Sequence, residues 1–568
     1  MRGNHFAIIA LLLAGCATQP QPAAVVQPPL PAYDILIRNG TIYDGSGGAP
    51  YAGDVLINGD RIVAVAPAAE ARGRTEIDAT GLAVAPGFIN MLSWANESLI
   101  ADGRGQSDIR QGVTLEVMGE GESMGPLNPT MKADSLKHQG DIKYSIDWTS
   151  LGEYLGYLEK KGVSPNVASF VGATTVRIHE LGEGDVDPNP EQLQRMRVLV
   201  RQAMDEGAMG VGSSLIYAPA NFAETAELVA LASEAGRCGG MYISHIRDEG
   251  PKLLEAIDEL VEISERSGAP AEIYHFKQSG RDNWNKIDAA IARVEAARAR
   301  GLRITADMYT YPASSTGFDA AMPLWVQAGG IEQWVKRLKD PSTRAKALKE
   351  MRSPEASENT KLAVQEPDKV ILVGFKTAAL KPLTGKTLGD VSRERGKPPE
   401  EVIADLIVAD NSRIQVVYFG MSEENVARHV TLPWMAFDSD AAAMAPEGVF
   451  LKSSTHPRAY GNFARLLGKY VREEKRVTLP EAVRRLTSFP AANLGIRDRG
   501  ALKAGNYADI AIFDPARIAD KATFTQPQQY AVGMVHVLVN GVPVLRDGEH
   551  TGATPGRFVK GPGAGRCN

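Results

Sequence analysis

The sequence predicts an α/β protein: a (β/α)8 TIM barrel joined to a small β-sandwich built from the two ends of the chain. Three observations predict it. Eight short, continuously apolar runs alternate with helical segments, the pattern of buried parallel strands joined by crossover helices. Both ends of the chain read instead as short alternating strands with Asn-Gly turns. The length of 568 residues exceeds one ordinary domain and fits a barrel with an insertion and a companion unit.

Residues 1–16 read as a lipoprotein signal peptide. Arg2 supplies a minimal positive region and residues 6–13 form an apolar stretch too short to span a bilayer. Leu13-Ala14-Gly15-Cys16 ends it and resembles a bacterial lipobox, with Cys16 the lipidated residue. Residues 17–32 are rich in Pro, Gln and Ala, carry no charge and read as an extended tether. These features predict an exported protein, lipid-anchored in the outer membrane and facing the periplasm, because Ala17 rather than Asp follows the cysteine.

Residues 33–82 form the first part of the sandwich, with strands at 34–40, 54–60 and 61–66; residues 496–560 form the second, with strands at 508–513 and 535–541. Neither end alone has enough strands for a stable sheet, so the two must pair. Residues 83–495 form the barrel. Its runs are 83–91, 114–119, 166–172, 208–213, 239–245, 271–276, 303–309 and 432–438, with helices such as 191–206, 224–235, 252–267 and 287–300 between them. The polar, helical stretch 327–410 interrupts the seventh and eighth units as an inserted subdomain. A net charge of -6 leaves no basic footprint, which argues against nucleic acid as a partner. Cys238 and Cys567 stand too far apart to read as a disulfide framework, and Cys238 reads as a buried structural thiol.

Barrel active sites collect at the C-terminal ends of the strands. There strand five ends in His245, strand six in Tyr274-His275-Phe276-Lys277, strand two in Gly119-Glu120-Gly121-Glu122, and strand eight in Asp438-Ser439-Asp440. Imidazoles and carboxylates are the usual ligands of zinc, and an open position leaves room for a water. A strand-end Asp beside that water can take its proton and return it to a leaving nitrogen. His138, His179, His429, His536 and His550 lie in loops, polar stretches or the small sheet and read as structural or solvated.

Ala85-Pro86-Gly87-Phe88-Ile89-Asn90, Ser244-His245-Ile246-Arg247-Asp248-Glu249, Ala306-Asp307-Met308-Tyr309-Thr310-Tyr311-Pro312, His456-Pro457-Arg458 and Gly505-Asn506-Tyr507-Ala508-Asp509 together resemble the N-acyl-D-amino-acid deacylase (D-aminoacylase) family of amidohydrolases over nearly all of residues 33–560. The resemblance implies that His245 and His275 bind Zn2+, that Asp440 is the catalytic acid/base, and that Lys277, Tyr309, Ser315 and Arg458 grip the carboxylate of an acylated amino acid. Arg offers that carboxylate a planar two-point contact and Lys a point charge.

The sequence departs from the family pattern where it matters. The His-x-His expected after the first strand is replaced within Asn90-Met91-Leu92-Ser93-Trp94, and the strand-two Cys is missing. A His expected after strand three is absent, since Ala173 follows Gly172. Strand four carries no Lys to bridge two metals. The sequence therefore predicts one zinc per chain, held by His245, His275 and a strand-two carboxylate, Glu120 first and Glu122 second, since oxygen can replace sulfur on zinc. The activity predicted is hydrolysis of a linear amide C–N bond in a small molecule bearing an amide and a carboxylate, first an N-acyl-D-amino acid. The alternatives are another amide (a dipeptide or a cyclic amide), and a barrel without catalysis that serves as a surface binding lipoprotein.

Overall fold

The computed structural model describes Met1, Gly3 and residues 32–567. The remainder of the signal segment, Cys16 and the tether up to residue 31 lie outside the described residues. Among the described residues no helix is long and apolar enough to cross a membrane.

Seven barrel strands follow one another in parallel: Phe88–Asn90, Val113–Met118, Asn166–Ser169 continued by Val171–Gly172, Gly210–Ser214, Met241–His245, Ala271–Ile273 and Ile304–Ala306. The eighth stave, residues 434–441, closes the barrel without forming a regular strand. Ala436 N–H donates to Ala306 O at 2.7 Å, Asp438 N–H to Met308 O at 3.1 Å and Asp440 N–H to Leu92 O at 3.0 Å. Side chains take some of its other backbone groups: Ser439 N–H donates to Asn90 Oδ1 at 2.9 Å, and Asn462 donates to Asp438 O. The intervening helices start and stop where local chemistry dictates. Pro190–Glu206 begins behind a reciprocal capping box of Asn189 and Gln192, and ends at Gly207 in the left-handed region.

The pleat decides what faces the barrel interior. In strand five, Met241 and Ile243 join the inner core with Leu115, Val117 and Phe170, whereas Tyr242 packs into the layer beneath the helices. Alternation then carries His245 inward at the strand's C-terminal end.

The two chain ends pair into one nine-stranded sheet. Ala83–Pro86 joins them, parallel to Ala32–Ile42 on one side and antiparallel to Ile510–Phe513 on the other. Ile35, Ile37, Val55, Ile57, Val84, Ile510, Ile512 and Leu538 share one apolar core, so the small β unit is built from both ends; the first end supplies more strands than the sequence showed, and it is the shared core rather than strand number that joins them. Between strand seven and the eighth stave lies a subdomain with its own core. It comprises an antiparallel sheet of Ser314–Gly317, Val370–Gly374 and Gln415–Tyr418 packed with helices that include Gly330–Lys339 and Pro399–Asp410. Its sheet begins and ends outside 327–410 because two of its strands flank the helical stretch.

Cys238 is not a free thiol. It forms a disulfide with Cys567, their Cα atoms 5.6 Å apart across 329 residues of sequence. Sequence distance concealed the pair because the tail runs under the N-terminal face of the barrel. Val559 N–H donates to Val167 O at 2.9 Å and Gly561 N–H to Gly207 O at 2.8 Å, which leads the last residues to the turn before strand five.

Candidate metal centre and active site

A cavity of about 770 Å3 opens at the C-terminal face of the barrel, beneath the subdomain. Glu120, His245, His275, Lys277, Tyr309 and Asp440 line it, together with Trp94, Glu249, Ser315 and Arg458.

Two local devices bring the histidines together. His245 arrives by strand alternation. His275 follows Tyr274, which already faces the inner core, so alternation alone would turn it outward. It adopts a positive φ of 36° instead, and its N–H donates to Oδ1 of Asp307 at 2.5 Å. The two imidazole rings lie 4.3 Å apart, centre to centre. Glu120 is presented by a turn that glycine makes possible. Gly119 and Gly121 on either side have φ of 103° and 70°. A Cβ on Gly121 would meet Ser214 Oγ at 1.9 Å.

One carboxylate oxygen serves both imidazoles: Oε1 of Glu120 is 3.0 Å from Nδ1 of His245 and 3.1 Å from Nε2 of His275. These three side chains are the group among the described residues whose ligand atoms all lie within 4.8 Å of one another. Nε2 of His245 is buried without a hydrogen-bond partner. Two imidazoles and a carboxylate converging in this way fit a zinc ion with open coordination positions. Glu122, two residues on, is exposed and takes no part in the group.

Glu249, four residues beyond His245, closes the other side. Its Oε1 is 3.2 Å from Nδ1 of His275 and 3.5 Å from Nε2 of His245, and it accepts from Lys277 Nζ at 2.5 Å. Burial works against the Glu120 carboxylate, but hydrogen bonds with His245 and His275 hold it well below the usual range. Burial opposes Glu249 as well, and the Lys277 charge together with His245 and His275 overcomes it, holding the carboxyl below the usual range. Burial and Lys277 both act to lower His275, yet Glu120 and Glu249 push it up to about 9. His245 is lowered by burial.

Asp440 sits across from this cluster with a positive φ of 43°. Its Oδ2 accepts from Arg458 Nη2 at 2.8 Å and its Oδ1 from Trp94 Nε1 at 3.2 Å. Burial raises its pKa, with the Arg458 charge acting in the opposite direction. Arg458 is 2% exposed, and its guanidinium lies 4.4 Å from the centre of the Tyr309 ring. Its Nε and Nη1 are buried with no hydrogen-bond partner. Lys277 is buried rather than a solvated rim charge, and already engages Glu249 and the His275 carbonyl. Ser315 lines the cavity, but its hydroxyl donates to Val416 O within its own sheet at 2.9 Å.

Residue-by-residue reading of strand ends missed four participants. Glu249 stands in a loop whose course the strand pattern does not set. Trp94 donates from Nε1 to Oε2 of Glu120 at 3.0 Å as well as to Asp440. His456 is buried at the cavity wall with Nε2 3.0 Å from Ala313 O. Asp307 holds the His275 backbone. Glu249, Asp307 and His456 stood inside the quoted motif segments, but nothing in those segments showed which way their side chains would turn. His138 lies at the cavity rim and pairs one helical turn back, its Nδ1 3.0 Å from Oδ1 of Asp134.

Comparison with known proteins places this geometry. The Amidohydrolase family model matches residues 453–545. D-aminoacylase of Alcaligenes xylosoxydans xylosoxydans is 31% identical over 535 residues, covering 93% of this chain and 97% of the relative. N-acyl-D-glutamate deacylase of the same organism is 30% identical over 529 residues, covering 93% and 96%. Among solved structures, N-acyl-D-glutamate deacylase of Bordetella bronchiseptica, complexed with zinc and a phosphonate mimic of the tetrahedral intermediate, superposes with a TM-score of 0.76 at 28% identity. That match covers 94% of this chain and 100% of the other. A D-aminoacylase structure described for its binuclear metal centre, with one-metal activation and second-metal attenuation, gives 0.77 at 29% identity over 93% of this chain and 100% of that chain. On barrel, site and similarity together, the chain belongs to the D-aminoacylase family of the amidohydrolase superfamily, and is a metal-dependent amide hydrolase.

Proposed function

We propose that this chain is a zinc-dependent deacylase of N-acyl-D-amino acids, with zinc held by His245, His275 and Glu120. The observation that carries the reading is Arg458. A buried guanidinium with two unpartnered nitrogens, in the same cavity as an acid/base carboxylate and an imidazole cluster, calls for an anionic substrate group. The carboxylate of an amino acid supplies it, and Lys277 and Tyr309 flank the same place. The D configuration rests on the names of the relatives.

When bound, the zinc ion supplies polarisation of the scissile carbonyl and a lowered pKa for water. The protein's own groups do the rest. Arg458 fixes the carboxylate end, so the amide carbon lies beside Asp440. Asp440 takes a proton from the attacking water and delivers it to the leaving nitrogen, so one carboxylate acts as base and then as acid. Glu249 and Lys277 neutralise each other beside the imidazoles and keep His275 oriented.

The decisive assay compares N-acetyl-D- with N-acetyl-L-amino acids, a dipeptide and a cyclic amide. Turnover of the N-acetyl-D series alone supports the reading. Turnover of the dipeptide or the cyclic amide instead replaces it, and turnover of none by a zinc-loaded chain leaves the binding lipoprotein. We also propose that the protein works outside the cytoplasm, lipidated at Cys16. The Cys238–Cys567 disulfide supports an oxidising compartment. Palmitate labelling that survives Cys16→Ser would remove the anchor.

A further inference from the structure

Trp94 makes contacts that the reaction above does not use. Its backbone is carried by two staves at once: Trp94 N–H donates to Ala441 O of the eighth at 3.0 Å, and Ser93 N–H donates to Val117 O of the second at 2.8 Å. Its indole N–H points between two carboxylates, 3.0 Å from Oε2 of Glu120 and 3.2 Å from Oδ1 of Asp440. The four carboxylate oxygens are then all engaged, two of them sharing the single indole N–H. Oε1 of Glu120 faces the two imidazoles, Oε2 and Oδ1 face the indole, and Oδ2 of Asp440 faces Arg458.

Two carboxylates that face the same point need a donor or a cation between them, and here the indole N–H stands there. A divalent cation would serve, and so does a hydrogen-bond donor. The indole nitrogen is a donor only and cannot ligate a metal. With the ring in place, a second cation between Glu120 and Asp440 has to displace it.

We propose that Trp94 is a positioning residue that restricts this centre to one cation and fixes Asp440 relative to Glu120. The inference rests on the reading that Glu120, His245 and His275 hold the metal.

The test is metal counting on the full chain, by mass spectrometry after equilibration with excess zinc and gel filtration, for wild type, Trp94→Phe and Trp94→His. Trp94 is 37% exposed, so both substitutions spare the core. Wild type is expected to keep one zinc and Trp94→His to keep two. Trp94→Phe, which retains a ring but loses the N–H, is expected to lower kcat ~10- to 100-fold while KM stays within about twofold. If Trp94→Phe keeps wild-type kcat and KM, the proposal is overturned, even should Trp94→His fail to fold. A second tightly held zinc in wild type, or a single zinc in a folded Trp94→His, also overturns it. Wild type that binds no zinc instead contradicts the proposed function and removes the ground for this inference with it.

Discussion

At the scale of single residues, the site is a balance of buried charges that only close partners make tolerable. Glu120 and Glu249 each give an oxygen to both imidazoles, and Lys277 and Arg458 offset the surplus of negative charge. Removing His275 leaves those carboxylates uncompensated and, on the proposed reading, removes a zinc ligand. His275→Ala is expected to lose bound zinc and at least ~10^3-fold in kcat/KM, because a catalytic metal is worth several kcal/mol at the transition state. Arg458→Lys keeps the charge but not the planar fork, so KM should rise ~10- to 100-fold with a smaller effect on kcat. Asp440 must be ionised to accept a proton, and burial raises its pKa above the ordinary aspartate value of about 4. Activity therefore rises with pH through that raised pKa and is lost below it. Asp440→Asn should abolish this acid limb along with ~10^2- to 10^4-fold of the rate. A pH profile of kcat/KM for wild type and variant checks both statements.

At the scale of elements, the barrel strands were legible because buried parallel strands write themselves as unbroken apolar runs. Even the eighth run, 432–438, was found, although its stave pairs by scattered hydrogen bonds rather than as a strand. His245 and His275 were singled out for the same reason: they stand at or next to the ends of such runs. Trp94 and Glu249 were not, because their roles depend on where loops return across the barrel mouth. The Gly119-Glu120-Gly121 turn shows how an element's end is set by conformation rather than composition. Gly121→Ala places a methyl into Ser214 at a φ of 70°. It should cost ~1–3 kcal/mol of stability and displace Glu120, which thermal unfolding and zinc content would report together.

At the scale of the whole molecule, distant parts of the chain complete one another. The small β unit needs residues from both ends, and the C-terminal tail is sealed to the barrel floor at Cys238. No local pattern marks that closure, since a pairing across 329 residues is visible only after the fold is known. Cys238→Ser is expected to lower stability by ~2–4 kcal/mol, seen as a lower Tm that reductant no longer changes. Because the bridge lies on the face opposite the cavity, kcat/KM below the transition should match wild type.

The account stands on a cation shared by His245, His275 and Glu120. Zinc content of the purified full chain, measured beside His245→Ala and Glu120→Gln, tests it most directly. One zinc in wild type, with loss of both metal and amide hydrolysis in each variant, is the predicted result. A wild-type chain that hydrolyses amides without metal, or variants that keep their zinc, would contradict it.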